Sequence, residues 1–353
     1  MEQYKMKALV VNENGVVRVE EISQPTLEEK SVKIKVKACG ICGSDIPRAI
    51  NNSAHYYPIV LGHEFSGVIS EVGEKVHDFF IGDHVVGAPL IPCFHCEDCQ
   101  KGDYSLCKNY KFIGSRLNGA MAEYIIIPAI NAVKINKSIR FCDAAFTEPL
   151  TVALHGLKQN HHKVGKRVAV LGTGTIGCLT LQAVKYYGAN LITAFVRNTK
   201  YDNLLHEMGI TSIINTSLPN WRNMANIITN GRGFDFVYET AGAIQTMHQA
   251  FDIAGNKAHI CLIGTPKESL EFTVKQWEQL NRKEFYLTGS WMSYSGTFPG
   301  TEWKEAVELL KNRSIVIYPE MIHRKVHLLE SSNIFEDYKQ TGSINGRNLI
   351  IMD

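Results

Sequence analysis

From the N-terminus to about residue 150, apolar residues alternate or cluster in short runs: KMKALVV, VKIKVKA, SGVISEV, DHVVGA and AEYIIIP, divided by Gly, Pro and Asn. A period near two between turn residues predicts short strands. After about residue 155 the rhythm changes. RVAVL is a short buried-strand run, followed by GTGTIG and then by CLTLQAVKYY, which has helical spacing and a stop at Gly188. LITAFV, SIINT, FDFVYET, AHICLIG and FYLTGSW follow at intervals, with helix-like stretches between most of them. Strands alternating with helices predict a parallel sheet of βαβ units. That regime ends near Ser290, and the tail, with a helix predicted around Glu302–Lys311, returns to strand-like pieces. The pattern defines an α/β chain. A β-rich domain, residues 1–154 completed by 291–353, surrounds a doubly wound parallel-sheet domain, residues 155–290.

Composition narrows the class. A chain of 353 residues fits two domains of ordinary size, and 45% hydrophobic with 20% charged residues is a soluble globular balance. The formal charge of +2, mixed along the chain, gives no field to attract nucleic acid or an anionic membrane. MEQYKMKALVV lacks the apolar stretch of an export signal, and the most apolar run, Val168–Val184, is broken by three glycines and read as strand, turn and helix. The expected compartment is the reducing cytoplasm, where closely spaced cysteines serve as metal ligands more often than as disulfides.

Gly172-Thr173-Gly174-Thr175-Ile176-Gly177 follows a predicted strand and opens a predicted helix. In that context the first glycine makes a tight turn, the second admits a pyrophosphate and the third lets helix and strand pack. A dinucleotide cofactor is therefore expected, its pyrophosphate at the helix start. NAD enzymes of this design end the second strand with an acid that binds the adenosine ribose. Here that position reads Val196-Arg197-Asn198-Thr199-Lys200, with no carboxylate. Arg197 and Lys200 suit a 2′-phosphate, which favours NADP over NAD. The competing reading makes both ordinary solvated charges.

Cys93, Cys96, Cys99 and Cys107 follow the pattern C-x2-C-x2-C-x7-C. Such loops let four sulfurs converge on one tetrahedral zinc ion at roughly 2.3 Å and leave no position for substrate. An iron–sulfur cluster is the competing reading. A nucleic-acid module is excluded, because Glu97, Asp98 and Asp103 outnumber Lys101 within Pro92–Cys107. A second set is dispersed: Cys42 in CGICGSD, His63 and Glu64 in LGHEFSG, and Glu148 in FTEPL. One thiolate, one imidazole and one carboxylate leave zinc an open position for water or alcohol. Each piece alone is a weak signal, since a lone cysteine is usually a small buried hydrophobe.

In this order, GHEFSG, the four-cysteine loop, the Glu148-Pro149 dipeptide and GTGTIG resemble the zinc-dependent medium-chain dehydrogenase/reductases, and within them the polyol dehydrogenase branch. The likeness spans essentially the whole chain. It implies a GroES-like catalytic domain around a Rossmann domain, with the active site in the cleft between them. It also implies two zinc ions per subunit, one catalytic and one structural, NADP or NAD as cofactor, and a homodimer or homotetramer. Carried over by position, Cys42, His63 and Glu148 match ligands of the catalytic zinc, with Glu64 an alternative ligand. The four cysteines match the structural zinc. Ser44 matches the hydroxyl that takes the alcohol's proton, and Asp45 a carboxylate that fixes the tautomer of the ligand histidine.

Two departures follow. Pro47 stands where many relatives carry a relay histidine, and the acid after Val196 is missing. The substrate implied is a sugar alcohol or sugar-alcohol phosphate, with an unphosphorylated polyol or L-threonine as alternatives. Arg48 and Arg116 are the cations suited to a phosphate, or else packing arginines. His155 is expected to be a packing residue, His161 and His162 solvated, and Cys39, Cys142, Cys178 and Cys261 buried thiols.

Overall fold

The computed structural model describes residues 4–341, 344 and 346–353. The chain forms two compact units, Met1–Glu148 with Tyr294–Asp353, and Pro149–Ser293. The crossings lie a few residues from the 154/155 and 290/291 of the sequence reading, because Glu148 already belongs to the first turn of a continuous helix, Thr147–Gln159.

In the first unit, strand β1 (Ser31–Gly40) is the axis of a seven-stranded sheet among the described residues. It pairs antiparallel with β2 (Glu64–Val72), and Gly40 stands opposite Glu64. Val32, Ile34, Val36, Phe65 and Ile69 are buried in its core, each stabilising the fold by about 1.5–3 kcal/mol relative to exposure. The register has a functional consequence. Cys42 lies two residues beyond Gly40 and His63 one before Glu64, so the antiparallel pair delivers both to one end of the sheet. Between them comes the short helix α1 (Asp45–Ile50). Pro47 lies in its first turn, where an N–H has no intrahelical partner to lose.

The second unit contains most of α2 (Thr147–Gln159), then β3 (Arg167–Leu171), α3 (Thr175–Tyr186), β4 (Leu191–Val196), β5 (Ser212–Asn215), β6 (Phe234–Glu239), β7 (Ala254–Leu262) and β8 (Tyr286–Gly289). All five pairings are parallel, in the order β5-β4-β3-β6-β7-β8. Val168–Leu171 is wholly buried, as expected of a parallel strand covered on both faces. The doubly wound sheet predicted from the sequence is the one observed, and its order reverses between β3 and β6, where open sheets of this type bind nucleotides. The chain then returns to the first unit, with a helix over Thr301–Lys311. It ends in β9 (Arg347–Ile351), antiparallel to β1 with Leu349 opposite Gly40. No described helix is long and apolar enough to cross a membrane.

Two expectations are corrected. His162 is not solvated: its Nδ1 lies 3.0 Å from the Tyr238 hydroxyl and its ring packs on Phe236. Burial holds it down to about 4. Cys142 is half-buried, whereas Cys39, Cys178 and Cys261 are buried as expected.

Candidate active site

Ligand atoms of Cys42, His63 and Glu64 lie within 4.8 Å of one another. Gly62 sets the approach of His63, because at φ +96° a side chain is strained and a Cβ would come within 2.6 Å of Cys39 Sγ. Asp45 is fully buried and organises the loop. Its Oδ2 accepts the Cys42 N–H at 3.0 Å, and its Oδ1 lies 3.5 Å from His63 Nδ1. That leaves Nε2 as the metal-binding atom of the ring, the arrangement a carboxylate imposes on a ligand histidine. Burial alone draws His63 down, but the Asp45 and Cys42 charges raise it well above its ordinary value.

Burial pushes Glu64 up to about 7 against the pull of Arg347, and pushes Glu148 up to about 7 against the pull of His63. Both carboxyls thus lie in the field of the same small site. Arg347, at the start of β9, donates from Nη1 to the Ile41 carbonyl at 2.9 Å, while its Nη2 stands 3.0 Å from Glu64 Oε1. No motif pointed to this residue. It lies some three hundred positions from its partners and reaches them only through the β1–β9 pairing.

A thiol, an imidazole and one of the two carboxyls suit zinc with an open position. The ligand atoms of Cys42, His63 and Glu64 converge in a mostly buried pocket, so the donor set fits a cation. Ser44 is exposed beside it. Its hydroxyl and carbonyl oxygens accept from Arg48 Nη1 at 3.1 and 2.9 Å, and the same nitrogen lies 3.7 Å from Asp45 Oδ1. Arg116 stacks on Tyr110 at 4.6 Å. Tyr110 meets Phe112 edge-on, and Phe112 in turn meets the His63 ring.

The sulfurs of Cys93, Cys96, Cys99 and Cys107 also lie within 4.8 Å of one another, with Cys93 and Cys99 at 3.9 Å. A tetrahedron of 2.3 Å bonds separates sulfurs by about 3.8 Å, so one ion fits, whereas a multi-iron cluster needs sulfurs farther apart. The His95 N–H and then the Cys96 N–H hold Cys93 down to about 6, while burial pushes Cys99 up to about 12. Four thiolates coexist here only around a cation. The interleaved side chains are otherwise engaged: His95 Nδ1 lies 2.6 Å from the Cys93 carbonyl, and Glu97 pairs with Lys101.

In the second unit, Gly172 takes φ +99° and a Cβ on Gly177 would fall 2.1 Å from the Gly172 carbonyl oxygen. Gly174 caps α3, and a Cβ there would meet open space. Thr175 and Ile176 form the first helical turn with Gly177, its N–H groups available to an anion. After β4, Arg197 and Lys200 are exposed, and neither enters an ion pair among the described residues. The Arg197 carbonyl accepts from Ser217 Oγ at 2.7 Å, and the Lys200 N–H donates to Asn198 Oδ1. Glu239, at the end of β6, is buried and accepts from the N–H groups of Ala241 and Gly242 at 2.9 Å. It supports the floor of the turn, and sequence reasoning passed over it.

A cavity of about 370 Å³ opens at the carboxyl ends of β7 and β8, lined by Ile263, Gly264, Thr265, Ser290 and Trp291 among others. A second, of about 560 Å³, lies at the amino ends of the strands. Its cations are largely paired: Arg167 with Asp235, Arg222 with Asp252, and Lys283 with three carbonyls. Ligands of open parallel sheets bind at the carboxyl ends, so the smaller cavity stands on the side of the sheet where a nucleotide is expected.

The fold and the two cysteine-containing sites together define a zinc-binding nucleotide-dependent dehydrogenase. Residues 28–137 match the alcohol dehydrogenase GroES-like domain, and residues 175–312 match the zinc-binding dehydrogenases. The chain is 40% identical over 320 residues to galactitol 1-phosphate 5-dehydrogenase of Escherichia coli (strain K12), covering 90% of this chain and 92% of the relative. A crystal structure of galactitol-1-phosphate dehydrogenase from Escherichia coli superposes with a TM-score of 0.93 at 38% identity, covering 98% of this chain and all of that one. A putative zinc-binding dehydrogenase from Sinorhizobium meliloti, solved bound to NADP, superposes with a TM-score of 0.89 at 29% identity, covering 99% and 100%. The chain belongs to the zinc-dependent medium-chain dehydrogenase/reductases, in their polyol dehydrogenase branch, and is an oxidoreductase.

Proposed function

We propose that this enzyme oxidises a secondary hydroxyl of a sugar-alcohol phosphate, galactitol 1-phosphate to tagatose 6-phosphate in the first instance, with NADP or NAD as hydride acceptor. One observation carries the phosphorylated substrate. Arg48 places a guanidinium against Ser44 and Asp45, and Asp45 in turn faces His63. The 40% identity to the galactitol 1-phosphate enzyme supports the same reading. The basic residues after β4, and the absence of a carboxylate there, favour a 2′-phosphate on the cofactor.

The residues divide the work. Cys42, His63 and Glu148 or Glu64 would hold a zinc ion, which would supply Lewis acidity toward the substrate hydroxyl. Ser44 accepts the hydroxyl proton, and because Pro47 carries no ionisable group, the proton leaves Ser44 to water. A nicotinamide cofactor bound at the glycine turn would supply the hydride acceptor, so that the alcohol would leave as a ketone with one proton released. Asp45 keeps the His63 ring in one orientation throughout. Cys93, Cys96, Cys99 and Cys107 would hold a second zinc ion with a structural role. We expect a cytoplasmic homodimer or homotetramer.

The test is turnover of galactitol 1-phosphate, free galactitol, sorbitol and L-threonine with each cofactor, before and after chelation. The proposal expects the phosphorylated polyol to give the highest kcat/KM and chelation to abolish it. A free polyol or threonine as the best substrate overturns it, and a strong preference for NAD overturns the role of Arg197 and Lys200.

A further inference from the structure

Arg48 does more than its neighbours require. Among the described residues, only Nη1 of its guanidinium makes hydrogen bonds, to both oxygens of Ser44, and it sits near Asp45. Nε and Nη2 make no hydrogen bond among the described residues, and the side chain is about one-fifth exposed. A planar guanidinium with its outer edge free presents the two parallel donors that a phosphate accepts. The inner edge meanwhile fixes the hydroxyl that handles the reacting proton. With one Ser44 lone pair engaged by Nη1, the other lone pair and the hydroxyl's own proton are left for substrate and water.

Resting on the phosphorylated substrate proposed above, we infer that Arg48 makes the substrate's phosphate an activator of turnover and not merely a handle for binding. A phosphate gripped by the outer edge immobilises the guanidinium, and through Nη1 it immobilises Ser44 in the orientation that receives the proton. Binding energy from a group remote from the reacting carbon is thereby realised in kcat. Without an anion, the same arginine is tethered through one nitrogen, and Ser44 samples other rotamers.

The phosphate is separable from the polyol, which makes the inference testable. Turnover of free galactitol is measured with and without phosphite dianion, in the parent enzyme and in Arg48→Ala and Arg48→Lys. Phosphite is expected to raise kcat/KM for free galactitol tenfold or more in the parent and to have no effect in Arg48→Ala. Arg48→Lys is expected to keep much of the KM for galactitol 1-phosphate but to lose kcat, since one ammonium cannot span Ser44 and the phosphate. Thermal midpoints confirm that the variants fold. Phosphite leaving the parent unchanged or inhibited, or activating Arg48→Ala equally, overturns the activation while galactitol 1-phosphate remains preferred through KM alone. Galactitol turned over as fast as its phosphate instead overturns the proposed substrate, and this inference with it.

Discussion

Arg347 and Glu64 are buried together, and a charge buried without its partner is far more costly than the pair is stabilising. Arg347→Met is expected to lower urea stability of the metal-free chain by about 3–5 kcal/mol, and adding Glu64→Gln to recover most of that loss. Equal losses in the single and double variants would show that Arg347 acts through packing alone. His162 gives the pH counterpart. Its folded value of about 4 lies below the roughly 6.5 of an unfolded chain, so between those values the unfolded state binds the extra proton. Stability conferred by neutral His162 is complete above about 6.5 and is lost as pH falls toward 4, a slope that His162→Gln should flatten in denaturation measured across that window. Residues differ in how plainly the sequence shows them. Cys42, His63 and Glu148 are visible because few side chains bind zinc and their local motifs are short. Arg347 is not, because the pairing of β9 with β1 that carries it to Ile41 and Glu64 is encoded by no local pattern. His162 lies in the loop before β3 but was expected to be solvated, because its partner, Tyr238, stands far along the chain on β6.

At the scale of elements, the four-cysteine lobe fastens a distant segment of the first unit. Ser105 exchanges hydrogen bonds with the backbone of Tyr294, accepting its N–H at 3.1 Å, and the Tyr294 hydroxyl accepts the Leu90 N–H at 3.0 Å. Phe94, Tyr104 and Phe298 close edge-to-face around the join. Leu90 pairs with Phe112, which packs on His63, so the lobe is continuous with the wall of the candidate active site. Cys107→Ser is expected to bind one zinc ion fewer per chain by metal analysis and to expose the 93–107 loop to protease. Unchanged metal content would remove the lobe as a zinc site. In the other unit, the glycine turn tolerates no Cβ at Gly177. Gly177→Ala should raise KM for the nucleotide at least tenfold while leaving zinc content intact, and an unaltered KM would place the cofactor elsewhere. The strand–turn–helix around this turn was legible because period and glycine spacing coincide. The lobe's attachment was not, since Ser105 and Tyr294 carry no motif.

At the scale of the molecule, the candidate metal ligands and the glycine turn belong to different units, and one of those units is assembled from both ends of the chain. Alternating strand and helix periods revealed the insertion, whereas its boundaries were blurred because α2 continues through the first crossing. Ligands that bind only a folded unit stabilise that unit by mass action, about 2.7 kcal/mol at a hundredfold excess over Kd. Scanning calorimetry is therefore expected to resolve two transitions. Chelation should lower the one belonging to Met1–Glu148 with Tyr294–Asp353, and cofactor should raise the one belonging to Pro149–Ser293. Assignment follows from Gly177→Ala, which should abolish the cofactor response, and Cys107→Ser, which should lower the metal-dependent transition. A single transition moved equally by chelator and cofactor would mean that the units unfold as one cooperative block. The contact division would then describe geometry without marking any boundary in the energetics.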